Sequence, residues 1–503
     1  MAGAGSPDRG DMEAKDRLAI PPQKMPEQEP AERVGNLREV PLGYTPEMAV
    51  LEAKRCLHCK RAVCIEGCPV GVDIPGFLAA VAKGDFASGI RIIRRRNVLP
   101  AVCGRVCPQE QQCQLACTVG KFHHDPGKSV SIGRIERFLA DWERETEAVA
   151  LPGKVPSSGR SVVVIGSGPA GLTVAGDLVQ LGHSVTVLEA LHEAGGVLVY
   201  GIPEFRLPKA IVSREVKFLE DLGVEFRLNT IAGRTIPLDE LMREYDAVFI
   251  GSGAGLPRFQ GIPGENLLGV YSANEYLTRV NLMRAFDFPN SDTPIQRGGT
   301  VITVGGGNVA MDCARTALRM GAERSIVVYR RSEMEMPARR EEVHHAREEG
   351  VEFHFLEDPV EITGGPWGWV NGVRLVRMTL GEPDSSGRRS SIPVEGSEFV
   401  READTVLVAI GNSPNPLVAS SFPELETTRW GGIAVNEATG QTSVRGVFAG
   451  GDIVLGAATV ILAMGQGRIA ARAMHAYLST GRWEGLEEAI GVAGTEIGSR
   501  VLV

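Results

Sequence analysis

Eight of the nine cysteines in this chain fall between Cys56 and Cys117, in two runs whose spacing suits metal ligation. The first reads Cys56-x2-Cys59-x4-Cys64-x3-Cys68-Pro69, and the second Cys103-x3-Cys107-Pro108-x4-Cys113-x3-Cys117. A run of four cysteines ending in Cys-Pro is a spacing by which iron–sulfur clusters are held, the last cysteine often serving the other cluster. Four thiolates also suit zinc, but zinc sites typically pair two Cys-x2-Cys knuckles and only one such knuckle occurs here. A disulfide scaffold fits poorly. Such domains are short and exported, whereas this cluster opens a long chain whose first residues, MAGAGSPDRGDMEAKD, contain no apolar signal core.

A second kind of chemistry lies in two glycine loops. SVVVIGSGPAGLTVAGDL contains Gly166-x-Gly168-x-x-Gly171 between a strand-like run and a helix-like one. The first glycine permits the turn, the second lets backbone approach a pyrophosphate, and the third lets helix and strand pack closely. Phosphate charge then meets the free N–H groups of the helix N-terminus, which opens at Pro169 and offers its first N–H at Ala170. Glu189, at the end of the next strand in SVTVLEA, can accept hydrogen bonds from ribose hydroxyls. The loop predicts a dinucleotide site.

TVITVGGGNVAMDCARTA repeats the pattern as Gly305-x-Gly307-x-x-Ala310, with Gly306, Asn308 and Val309 completing the loop. Here the following strand ends in SIVVYRRS, so Arg330 and Arg331 stand where the ribose acid would be. A carboxylate there repels a 2′-phosphate, while arginines bind it bidentately. NADP is therefore expected over NAD, the alternative being a solvated basic turn. Two such loops in one chain imply one tightly held flavin and one exchangeable nicotinamide. Hydride transfer between them needs stacked rings about 3–3.5 Å apart more than it needs an acid or base. Cys313, alone in the second loop's helix, reads as a small core residue, and without a second cysteine nearby the chain lacks the redox pair of a disulfide reductase.

The elements that must position these groups are legible in outline. At 503 residues the chain exceeds one core, and its 61 glycines without a collagen period fit many tight turns. Residues 1–35, rich in Pro, Glu and Lys, are expected as a disordered or loosely docked arm. Helical patterns surround the cysteines over 36–150, with Thr45 as an N-cap, and PGKVPSSGR near 151–160 reads as a linker. Short Val- and Ile-rich runs then alternate with helices, the signature of an α/β fold with parallel sheets. The second dinucleotide unit, 291–403, is inserted into the first, 151–290 and 404–503, and a final helix is expected over 458–478. A net charge of −9 and no basic stripe argue against nucleic acid. No apolar run reaches about 18 residues, so no membrane span is expected and the predicted location is the cytoplasm.

Taken together, the Cys-rich module followed by GSGPAG, GGVLVYGIPEFRLPK, VGGGNVAMDCAR, YRRSEMEMPARREE, VAIGNSPN and VFAGGDIVLGAATVILAMGQGR resembles the small subunit of NADPH-dependent glutamate synthase. The chain is similar still more closely to the large subunit of NADH-dependent ferredoxin:NADP oxidoreductase, also described as the sulfide dehydrogenase alpha subunit. The likeness spans roughly residues 25–480. It implies a helical module with two [4Fe-4S] clusters, then two Rossmann-type, three-layer domains of the disulfide-reductase-like flavoprotein kind. FAD would lie in the first and NADP(H) in the inserted one. Gly166, Gly168, Gly171, Glu189, Gly196, the turn at Gly201 and Ile202, Gly451, Asp452 and the helix opening at Ala458 and Thr459 would face FAD. A helix N-terminus near the ring stabilises the negative charge of reduced flavin.

The resemblance also divides the cluster ligands across the two runs. Cys56, Cys59, Cys64 and Cys117 would hold one cluster, and Cys68, Cys107, Cys113 and Glu136 the other, with Cys103 as the substitute ligand if Glu136 is only a solvated glutamate. In SIGRIERFLADW, Ile132, Ile135, Leu139 and Trp142 mark an inward face that Glu136 borders. The implied activity is an oxidoreductase subunit that moves electrons between NADP(H), FAD and the clusters. Its partner would be a smaller flavin and iron–sulfur subunit, with electron bifurcation and ferredoxin as acceptor possible, or a glutamate synthase large subunit. Nothing here resembles a glutamine amidotransferase or a glutamate-forming barrel. A zinc-bound, non-catalytic scaffold is the reading from another class.

Overall fold

The computed structural model describes residues 12–148, 150–153, 155–488 and 490. The chain divides into two compact units: 12–27 with 41–152, and 28–40 with the remainder from 153. The expected arm is only partly within the described residues, 1–11 lying outside them. From residue 12 onward it holds short helices at Ala14–Ala19 and Pro30–Arg33, and Arg33 is buried. The reason is charge pairing that polar composition alone does not reveal: Arg33 donates to Glu349 at 2.9 Å within its unit.

The first unit is helical. Asp73 and Asp85 cap helices Ile74–Ala82 and Phe86–Arg94, and Thr45 caps Pro46–Ala53. The longest helix, Ile132–Thr146, buries Ile132, Ile135 and Leu139, while Trp142 stays half-buried against Phe86, with ring centroids 5.7 Å apart. Helix Pro100–Val106 crosses it so closely that a Cβ on Gly104 would lie 2.5 Å from the Arg137 nitrogen. That contact brings the second cysteine run against Glu136.

The second unit holds two five-stranded parallel sheets. In the first, Ser161–Ile165 lies between Ser184–Leu188 and Ala247–Ile250, with Val447–Ala449 and Glu225–Arg227 at the edges. The second repeats this around Thr300–Val304, flanked by Arg324–Tyr329 and Thr405–Val408, with Glu352–Phe355 and Val270–Ser272 outermost. Central strands covered on both faces bury consecutive residues, which is why SVVVI and TVITV carry no apolar–polar alternation.

The insertion is wider than 291–403, because Val270–Ser272 and Thr405–Val408 both belong to the second sheet. A buried parallel strand reads alike whichever sheet it joins, so the sequence pattern cannot assign it. An antiparallel sheet of Glu357–Gly364, Val370–Pro383, Arg389–Pro393 and Phe399–Glu402 completes the insertion. The last helix runs Val460–Thr480, two residues later than expected at both ends. Among the described residues, no helix is long and apolar enough to cross a membrane.

Candidate functional site

In the helical unit the two cysteine runs interleave. A Cβ on Gly67, between Cys64 and Cys68, would lie 3.2 Å from the Cys113 Cα, so the first run rests directly on the second. Just ahead of Cys56, buried Glu52 accepts from the Ser131 N–H at 2.8 Å, and Arg55 donates to the carbonyls of Ser129 and Lys128 at 2.9 and 2.6 Å. These bonds draw Cys56 to the segment following Cys117.

The result is a pocket lined by Cys56, Cys59, Cys64 and Cys117, walled by Ile74, Leu78, Val130 and Ile132. Four residues 61 positions apart at the extremes therefore line one pocket. Burial first, and then the neighbouring cysteines, push the Cys56 thiol up to about 12 and Cys64 to about 11. Holding them as thiolates needs compensating positive charge, and bound iron would supply it. The residues fit a cluster.

Cys68, Cys107, Cys113, Glu136 and Cys103 form a second group. Cys107 is raised first by a hydrogen bond with Cys103 and then by burial, while Cys68 and Cys113 are raised chiefly by burial, with Glu136 adding to all three. Asn97 ties the alternatives together: its Nδ2 donates to Glu136 at 2.7 Å, and the Cys103 thiol lies 3.7 Å from its Oδ1. Asn97 is a residue that spacing arguments pass over, since its only signal is a short polar side chain before an apolar turn.

In the nucleotide unit, the glycine loops sit at the carboxyl ends of the central strands, where strand order reverses. A Cβ on Gly166 would lie 2.6 Å from the Gly251 carbonyl, and Gly166 adopts φ +95°. One on Gly171 would overlap the Gly166 carbonyl, and one on Gly196 would lie 2.9 Å from the Gly168 Cα. By contrast nothing lies within 4 Å of a Cβ built on Gly168, so open space faces the turn where a pyrophosphate would sit. The residues fit a dinucleotide. Gly171→Ala is accordingly expected to yield protein depleted of FAD, read as the flavin-to-protein absorbance ratio, and full flavin content would contradict the packing role.

Glu189 is buried and held: Oε2 accepts from the Ser167 N–H at 3.0 Å and from its hydroxyl at 2.5 Å, and Oε1 from Leu191 N–H at 2.9 Å. Gly201 and Ile202 end the short helix Val197–Tyr200. Gly451 precedes Asp452, whose carboxyl is raised by burial to about 6 while its Oδ1 accepts from Ala458 N–H at 3.3 Å. Thr459 caps helix Val460–Thr480. That helix reaches the first loop through Gly467, where a Cβ would lie 2.7 Å from the Ala170 carbonyl.

The second loop has a wall that sequence reasoning missed. A Cβ on Gly306 would lie 2.7 Å from the Tyr329 ring, the Ala338 N–H donates to the Gly306 carbonyl at 3.3 Å, and Asn308 Oδ1 accepts from the Arg339 N–H at 2.9 Å. YRRSEMEMPARR thus wraps back onto Gly306 and Asn308, within the loop that runs from Gly305 through Gly307 and Val309 to Ala310. Arg330 is exposed, whereas Arg331 is buried and donates to Asp384 at 2.5 Å. Arg206, just after the Gly201 turn, meets Asp312 in the second loop's helix at 2.7 Å and Glu342 at 3.0 Å. Cys313 is fully buried beside them, as a core residue.

Two protein families match this chain: residues 33–148 match dihydropyrimidine dehydrogenase domain II, 4Fe-4S cluster, and residues 160–467 match pyridine nucleotide-disulphide oxidoreductase. The glutamate synthase [NADPH] small chain of Halomonas elongata is 40% identical over 458 residues, covering 90% of this chain and 96% of that one. The NADPH-Fe(3+) oxidoreductase subunit beta of Geobacter sulfurreducens is 36% identical over 84% of this chain and 64% of its own length. Mycobacterium tuberculosis FprA in complex with NADPH shares the fold, with a TM-score of 0.55 and 21% identity over 69% of this chain and 90% of that one. The zinc scaffold is overturned by the 4Fe-4S match. The chain belongs to the glutamate synthase small-chain family of iron–sulfur flavoprotein oxidoreductases, which join NADP(H), FAD and [4Fe-4S] clusters in one electron-transfer polypeptide.

Proposed function

We propose that this chain is the electron-input subunit of a hetero-oligomer, accepting hydride equivalents from NADPH and passing single electrons to a partner chain. The observation that carries this reading is the convergence of Cys56, Cys59, Cys64 and Cys117 on one pocket, in a chain that also builds two glycine-loop sites. Bound FAD supplies the conversion of two-electron into one-electron chemistry, and the clusters supply the conducting steps.

The residues have separable roles. Gly166, Gly168, Pro169, Ala170, Gly171 and Gly196 shape the FAD pyrophosphate turn, Glu189 accepts from the ribose, and Gly201, Ile202, Gly451, Asp452 and Ala458 bound the flavin. The N–H groups opening helix Val460–Thr480 after Thr459 stabilise negative charge at that end. Gly305 to Ala310 shape the NADP turn, and Arg330 and Arg331 bind the 2′-phosphate. Cys68, Cys107, Cys113 and Glu136 hold the second cluster, with Cys103 as the substitute for Glu136.

A partner of the glutamate synthase large-chain class is supported by relatives of that name matched along nearly their whole length. The ferredoxin:NADP oxidoreductase pairing is supported by CGRVCPQEQQC. Anaerobic co-purification separates them, the first giving glutamine-dependent NADPH oxidation and the second NADH-linked ferredoxin chemistry. For the NADP assignment, Arg330→Ala with Arg331→Ala is expected to raise the KM for NADPH by about 100-fold, two charge-assisted contacts at about tenfold each, and to leave that for NADH nearly unchanged. Equal changes for both cofactors would refute the phosphate role.

A further inference from the structure

The insertion carries a hairpin whose tip reaches Arg331. Strands Val370–Pro383 and Arg389–Pro393 pair antiparallel, with Pro383 opposite Arg389 after a register shift. The tip closes tightly: the Asp384 N–H donates to the Arg388 carbonyl at 2.7 Å and the Gly387 N–H to the Asp384 carbonyl at 2.9 Å, with Gly387 at φ +76°. Within it, Asp384 Oδ1 accepts from the Ser386 N–H at 2.8 Å and from the Ser386 hydroxyl. The other oxygen, Oδ2, accepts from Arg331 at 2.5 Å. One carboxylate is thereby fixed to the turn and to the guanidinium at once.

The neighbouring position is tied in the same way. Ser332 and Glu335 form a capping box, and Arg389 Nε donates to Glu335 Oε1 at 2.6 Å while its other arm lies 3.4 Å from the Ser332 hydroxyl. Arg331 Nε is buried without a partner among the described residues. Arg331 and Arg389 thus meet Asp384 and Glu335 at this corner, and Asp358 interacts electrostatically with Arg330.

We propose that the hairpin tip completes the 2′-phosphate site, with Asp384 as a positioning residue for Arg331. This rests on the reading that Arg330 and Arg331 meet the 2′-phosphate. The physical reason is order. A free arginine surrenders rotamer entropy when it is pinned by a ligand. Asp384 removes that cost beforehand and leaves the remaining guanidinium N–H groups for the anion. NADH, lacking the phosphate, gains nothing from it.

The test is steady-state kinetics of the full chain with ferricyanide as acceptor, using NADPH and NADH separately. Asp384→Asn is expected to raise the KM for NADPH about tenfold, the size of one lost charge-assisted contact, with kcat and the KM for NADH unchanged. Arg331→Ala is expected to raise it at least as far, and adding Asp384→Asn to Arg331→Ala to change nothing more. An unchanged or lowered NADPH KM in Asp384→Asn overturns the positioning role. If Arg331→Ala nonetheless shifts the NADPH-to-NADH ratio, only the hairpin proposal fails. If neither variant shifts it, the arginine reading fails as well.

Discussion

Cys64→Ser is expected to cost the chain one cluster, about half its iron, while NADPH still bleaches the flavin at the parent rate. Cys64 shares a pocket with Cys56, Cys59 and Cys117, so removing one thiolate leaves three ligands where four are needed. Serine is a poor substitute, because its hydroxyl is hard and stays protonated where a thiol yields a thiolate. Changing an outer-shell partner costs about 10–100-fold in metal affinity, and losing a ligand outright exceeds that. Electron delivery to a one-electron protein acceptor should fall accordingly. Hydride uptake, which depends on the nucleotide unit, should not. Iron analysis with stopped-flow absorbance separates the two. Cys103→Ala is the control: with Glu136 ligating, it retains both clusters, and a loss of iron there would transfer the eighth ligand to Cys103.

Glu349→Gln is expected to destabilise the nucleotide unit by about 3–5 kcal/mol, the range for breaking a buried ion pair by removing one partner. The carboxylate of Glu349 is fully buried under three guanidiniums: Arg33 at 2.9 Å, Arg315 at 2.8 Å and Arg319 at 2.6 Å. Arg319 and Arg315 in turn stack on Phe205, at 3.9 and 4.6 Å from the ring centroid. Neighbouring Arg206, Asp312 and Glu342 extend the network from the Gly201 turn to the helix of the second glycine loop. A neutral amide takes a carboxylate from all three arginines, leaving Arg33 with Glu348 and Arg315 with Glu342. Chemical denaturation of variant and parent checks the size of the effect, and a difference below about 1 kcal/mol, the worth of an exposed pair, would show the network to be dispensable.

The same network sets an acid limit. Although burial alone would raise both, the surrounding arginines hold Glu342 and Glu349 down at about 2, against an ordinary value of 4.5. Their contribution is therefore complete above about pH 4.5 and is lost as pH falls toward 2. Asp312 runs the other way: burial lifts it to about 6, so its protonation below that pH favours the fold and partly offsets the loss.

What was legible in the sequence was whatever repeats at short range. The cysteine spacings, the Gly-x-Gly-x-x-Gly/Ala loops and Glu189 each depend on a few adjacent residues meeting one ligand, so their pattern survives in one dimension. The partners that secure them do not. Asp384 lies 53 residues from Arg331, and Glu349 lies 316 from Arg33. Neither distance carries a period, and both pairings exist only once the sheets have formed. Boundaries suffered for a related reason, since Val270–Ser272 and Thr405–Val408 are apolar strands whose sheet is decided by neighbours far along the chain. The Asp-Ser-Ser-Gly turn between two strand-like runs was the one local hint that a hairpin stood there.

The central claim is that thiolates of the helical unit hold iron in a chain that also binds flavin. Its most direct test is the composition of anaerobically purified protein, measured as iron, acid-labile sulfide and FAD per chain. Two [4Fe-4S] clusters predict about eight iron, about eight sulfide and one FAD. Protein carrying zinc in place of iron, or flavin without sulfide, would contradict the account.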